Sequence, residues 1–213
     1  MKIWNINRHM PSYLLVNEKF VFIRVPKTGT RNILERYKRA NNKEMISKIK
    51  APCYQHEGID YISKFISKEQ YTDIKYISCC RNPYSHFYSY YHHTGGSRKF
   101  PSFEGWLEKN LNTSHVGCLK YHTINGKYAL DKLFYLEDGL GDLYDYVDQY
   151  CKVRTINHPH KFQGAYNHNK DKIISQFTKK SIDMIQDKYP EEFEFYGYSK
   201  NIEDMFQREK ING

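Results

Sequence analysis

Two short segments carry the residue types that binding a polyanion requires. The first, Val25-Pro26-Lys27-Thr28-Gly29-Thr30-Arg31-Asn32, follows the β-branched and aromatic run Phe20–Val25 and opens a helical pattern. At a strand-to-helix junction the first backbone N–H groups point outward and the helix dipole adds partial positive charge. Gly29 lets the backbone approach an anion closely, Lys27 supplies a full charge, and Thr28 and Thr30 supply hydroxyls. Residues Pro26, Lys27, Thr28, Gly29, Thr30 and Arg31 are therefore the candidate anion loop. The segment is not the standard nucleotide loop GxxxxGK[ST], because its lysine precedes the glycine. An ordinary turn with a surface lysine has the same local pattern.

The second segment, Cys80-Arg81-Asn82-Pro83-Tyr84-Ser85-His86-Phe87-Tyr88-Ser89, follows the apolar run Lys75–Cys80. Arg81 offers the planar fork suited to a phosphate. Ser85 and Ser89 are four residues apart and share one helix face, so Ser89 is placed to reach the same anion. Phe87, Tyr90 and Tyr91 are expected in the core. Taken alone, the segment also reads as an arginine ending a strand, with two serines on a solvated face.

The elements that must position these residues alternate. Strands are expected at Phe20–Val25, Lys75–Cys80 and Leu133–Leu136. Helices are expected at Asn32–Ala40, Glu44–Ile49, Tyr61–Ile66, Tyr84–His93, from a Ser102 cap to Leu111, Leu140–Tyr150, and from a Thr178 cap over Lys179–Lys188. The polar stretch His158–Lys172 reads as an exposed loop. Such alternation implies an α/β fold, a central parallel sheet flanked by helices, with ligands at the carboxyl ends of the strands. No repeat or linker divides residues 1–213, so one domain is expected.

Composition narrows the chemistry. The chain has 33 Lys and Arg against 24 Asp and Glu, a net charge of +9, which favours anionic partners. No basic run is longer than a pair such as Lys179-Lys180, so no basic arm or nucleic-acid motif is present. Five cysteines with no CxxC pair give no disulfide framework. His92-His93 and His158/His160 lack zinc-ligand spacing, so no metal is expected. Neither an apolar leader over Met1–His9 nor a membrane-length apolar stretch is visible, and a cytoplasmic chain without a membrane span is the expectation.

Together the two segments resemble the PAPS-dependent carbohydrate sulfotransferases of the Golgi type, the uronyl 2-O-sulfotransferases included. Pro26-Lys27-Thr28-Gly29-Thr30 is similar to that family's 5′-phosphosulfate loop. Arg81-Asn82-Pro83, with Ser89 eight residues after the arginine, is similar to its 3′-phosphate segment. Phe103-Glu104-Gly105-Trp106-Leu107, Phe134-Tyr135-Leu136-Glu137-Asp138-Gly139-Leu140, Tyr189 and Glu194–Tyr198 resemble further family segments in the same order.

The resemblance implies a P-loop-like three-layer sandwich and metal-free, in-line transfer of a sulfuryl group from PAPS to a carbohydrate hydroxyl, leaving PAP. Lys27 would stabilise the leaving phosphate. His56 in Cys53-Tyr54-Gln55-His56-Glu57-Gly58 occupies the place of the second histidine of a family His-Gly-His segment and is the candidate base, with Glu57 next. Tyr54 and Gln55 stand where that segment has its first His and its Gly. His86, His92 and His93 take no family role, and one of Lys161, His168 and Lys170 is expected to touch the 3′-phosphate. A P-loop kinase-like phosphoryl-transfer enzyme is the alternative. The acceptor and the oligomeric state are not specified by the sequence.

Overall fold

The computed structural model describes residues 13–16, 19–30, 32–33, 56–65, 73–112, 115–149 and 170–207. The chain divides into two compact units. One is Met1–Cys80 with Leu119–Phe134 and Leu140–Ile156; the other is Arg81–Cys118 with Tyr135–Gly139 and Asn157–Gly213.

The first unit is built on a mixed sheet in the order β1-β2-β3-β6, from β1 (Tyr13–Val16), β2 (Phe20–Ile23), β3 (Lys75–Cys80) and β6 (Lys132–Tyr135). Three of these strands run parallel. The central pair is in register Phe20↔Lys75 to Ile23↔Ser78, so the carboxyl ends of β2 and β3 lie at one edge. All four residues of β2 and the last five of β3 are buried. Burial on both faces is why these strands read as continuous apolar runs instead of alternating patterns. Phe20 and Phe134 both pack on Tyr146 of the Gly141–Asp148 helix.

β1 pairs antiparallel with β2, Tyr13 opposite Ile23, and is not expected from sequence. Four residues carry too little pattern by themselves, and pairing with β2 is what makes them a strand. The hairpin of β4 (Thr123–Ile124) and β5 (Lys127–Tyr128) is also absent from the expected elements, although Asn125-Gly126 is a strong hairpin signal. Both turn residues have positive φ, as a type I′ turn needs. β2 ends at Ile23, two residues before the expected Val25, and β6 is shifted back by one.

The second unit is helical. The Pro83–His93 helix starts where Asn82 Oδ1 accepts from the Tyr84 N–H and Pro83 occupies the first position. Ser102 and Thr178 cap the Phe103–Asn110 and Lys179–Lys188 helices as expected, accepting from the Gly105 and Ser181 N–H groups. Tyr84, Phe87, Tyr91, Phe103, Trp106, Phe177 and Phe193 form an aromatic core, while Tyr90 is only half-buried.

Three expectations are corrected here. Lys170–Ile174 is a helix, so Lys170 to Lys172 are not loop, and a Pro190–Tyr196 helix follows the one expected to be last. In the first unit the 61–66 helix is found earlier, at Ile59–Ile62. Most of Asn32–Ala40, all of Glu44–Ile49, and residues 158–169 lie outside the described residues, as do Arg31, Lys161 and His168. No helix among the described residues is long and apolar enough to cross a membrane.

Candidate functional site

In the first unit, the candidate loop leaves β2 through Arg24 and Val25. Arg24 is buried, and desolvation lowers its guanidinium pKa to about 10. The chain then turns sharply. Lys27 has φ 61° and Gly29 φ 79°, and helical backbone begins at Thr30. Asn32 N–H donates to the Gly29 carbonyl at 3.0 Å. For glycine a left-handed turn is free, but for lysine it costs roughly 1–2 kcal/mol. The side chain of Lys27 is half-buried.

The threonines do something the sequence does not indicate. Both hydroxyls donate to the Val25 carbonyl, Thr28 at 3.1 Å and Thr30 at 3.4 Å, and both residues are buried. Their protons therefore tie the loop to the strand end and do not point outward. Donation to an anion is left to the backbone N–H groups and to Lys27.

His56 joins this loop from 32 residues away in sequence. Its Nδ1 lies 3.4 Å from the Arg24 carbonyl oxygen. A carbonyl only accepts, so this contact is a hydrogen bond when Nδ1 carries the proton, which makes Nε2 the basic nitrogen. His56 also has positive φ, 70°. Among the described non-glycine residues only Lys27, His56, Asp73 and Asn125 do. Aspartate and asparagine suit turns, and histidine tolerates this region better than lysine does. Strained backbone clusters at functional sites, and here it falls on the two residues that the sequence nominates for chemistry. Gly58, just beyond, packs against the 120–121 backbone; a Cβ there would sit 3.0 Å from the Lys120 carbonyl oxygen.

His122 anchors that same 119–122 segment. It is fully buried, and its Nε2 lies 2.8 Å from Ser78 Oγ, which itself donates to the Ile23 carbonyl at 2.9 Å. Because the Ser78 proton is committed, His122 Nε2–H is the donor. Burial lowers its pKa to about 3, so the ring stays neutral.

In the second unit, Arg81 is buried and its Nε donates to Ser85 Oγ at 2.8 Å. Ser85 passes its own proton to the Asn82 carbonyl at 3.1 Å. Ser85 therefore aims the guanidinium and is not on a solvated face. Ser89 lies one turn further along that face and is buried too.

Sequence reasoning gives no role to Glu137. One of its carboxylate oxygens accepts from the Asn82 N–H at 2.9 Å and the other from the Tyr198 hydroxyl at 2.9 Å. Desolvation raises its pKa; the Asn82 N–H and the positive charge of Arg81 pull the other way. The signal available in sequence is the placement of Glu137 and Tyr198 within family-like segments, without a stated partner.

The remaining nominees have these surroundings. His86 is buried with Nδ1 3.8 Å from Cys118 Sγ. His92 and His93 are exposed, and partial burial lowers the His92 pKa. Lys170 pairs with Glu203 at 3.5 Å. Glu57 is half-buried beside His56 in the chain. Among the described residues, no three His, Cys, Asp or Glu side chains are grouped to hold a metal ion.

No family model, curated protein or solved structure matches this chain.

Proposed function

We propose that this chain is a sulfuryl transferase of the PAPS-dependent carbohydrate sulfotransferase kind, with the P-loop-like three-layer sandwich that such a reading carries. The observation that supports it most is the convergence of the Lys27 turn and the His56 ring on the residues that leave β2, with backbone strain at both. An anion loop and a base at one strand end are the parts that transfer to an alcohol needs.

PAPS would supply the sulfuryl group and, in its 5′-phosphate, the leaving group. The Lys27 ammonium and the backbone N–H groups of residues 28–30 suit the 5′ side of such a ligand, and Arg81, with Ser89, suits the 3′-phosphate. Lys27 would offset the negative charge that such a leaving group gains. His56 Nε2 would take the proton of the acceptor hydroxyl while the Arg24 carbonyl holds Nδ1–H. The acceptor class is a sugar hydroxyl.

Calorimetry tests the reading directly. Adenosine 3′,5′-bisphosphate should bind without metal and magnesium-ATP should not displace it. Tight magnesium-ATP binding with no affinity for the bisphosphate would replace this reading by a phosphoryl-transfer one. A screen of carbohydrate acceptors with ³⁵S-labelled PAPS then identifies the product.

A further inference from the structure

The Arg81 segment raises a physical problem. An arginine that is only 4% exposed must have its guanidinium aimed before a ligand arrives, and its positive charge must be tolerated meanwhile. Ser85 fixes one edge of the group, at Nε. That contact sets the guanidinium against the Pro83–His93 helix but does not fix the helix start itself. The start is held by Asn82, whose side chain caps Tyr84 N–H and whose own N–H points out of the helix.

Glu137 meets both needs. Its two oxygens are divided between the Asn82 N–H and the Tyr198 hydroxyl, so the carboxylate is fixed at both ends. Tyr198 is itself buried and packs edge-on against Tyr135 and Tyr196. Asn82 is separated from Glu137 by 55 residues, so this contact ties two distant stretches of the same unit. Arg81 immediately precedes Asn82 in the chain, so the contact to the Asn82 N–H brings the carboxylate to the arginine's own turn, where the positive charge favours its ionised form.

We infer that Glu137 is a positioning residue that holds the Arg81-Asn82 turn through its hydrogen bonds, while its negative charge competes with the anion that Arg81 binds. The inference rests on the proposed 3′-phosphate role of Arg81. It separates two functions of one side chain, and the two respond oppositely to substitution. Glu137→Gln keeps an oxygen for the Asn82 N–H, and its amide can donate to the Tyr198 oxygen, because a phenol both donates and accepts. The position is kept and the competing charge removed. Glu137→Ala removes both.

The experiment is calorimetric titration of the wild type, Glu137→Gln and Glu137→Ala proteins with adenosine 3′,5′-bisphosphate, alongside thermal unfolding of each. Glu137→Gln should bind the bisphosphate more tightly than wild type. Glu137→Ala should bind at least fivefold more weakly. A purely structural carboxylate would weaken binding in both variants in step with lost stability. Unchanged or weaker binding by Glu137→Gln relative to wild type, or a folded Glu137→Ala protein within fivefold of wild type, overturns the inference. Should Glu137→Ala fail to fold, the sign of the Glu137→Gln change decides alone. A wild-type protein that ignores the bisphosphate removes the sulfotransferase reading itself, a result distinct from any difference among variants.

Discussion

Lys27 is held at φ 61°, where a residue with a Cβ is disfavoured by roughly 1–2 kcal/mol. Replacing it by alanine and by glycine removes the same ammonium in both cases, so any lost ion pairing or packing of the half-buried side chain largely cancels between the two. What differs is the Cβ in a left-handed turn. Glycine escapes that cost but gives back about 0.4–1 kcal/mol because its unfolded chain is freer. Lys27→Gly should therefore be more stable than Lys27→Ala by about 0.5–1 kcal/mol. This is opposite in sign to the usual ranking of glycine and alanine. In a chain of this length that corresponds to roughly 1–4 °C in midpoint temperature. Urea unfolding with matched m-values measures it, since equal slopes show that the same surface is exposed. If the proposed function holds, both variants should be equally poor in sulfuryl transfer. An alanine variant as stable as the glycine variant would refute the strained turn. A glycine variant with wild-type turnover would refute the role of the ammonium.

Arg81→Ala should weaken binding of adenosine 3′,5′-bisphosphate by about 1.5–3 kcal/mol, the range for a hydrogen bond to a charged group, and unchanged affinity in calorimetry contradicts the 3′-phosphate assignment. His56→Ala should lower turnover by about 10²–10⁴-fold with bisphosphate affinity nearly intact, and a variant that keeps its rate and its pH profile excludes His56 as base. His122, with a folded pKa of about 3 against about 6.5 when unfolded, leaves the unfolded chain holding the extra proton between those values. Its contribution is present above pH 6.5 and is lost as pH falls through the window, at about 1.4 kcal/mol per pH unit. His122→Gln should flatten that slope in unfolding titrations between pH 4 and 6; an unchanged slope assigns it to other groups.

Features encoded within a few consecutive residues are legible in the amino-acid sequence itself. The apolar runs of β2 and β3 mark buried strands, and Asn82-Pro83, Ser102 and Thr178 mark helix starts, because a cap and the N–H it accepts from lie within three residues. The lysine-glycine turn after β2 belongs to the same class. The direction in which a side chain spends its hydrogen bonds does not. Thr28 and Thr30 read as outward donors, yet the nearby Val25 carbonyl takes both protons. The contacts of His56 with Arg24, of Ser78 with His122 and of Glu137 with Asn82 join residues 32, 44 and 55 positions apart. Strand pairing and helix packing decide which of many buried polar groups can meet. Residue types at a strand end thus limit the available chemistry, whereas chain closure over tens of residues decides which atom holds each proton and which charge stands beside which.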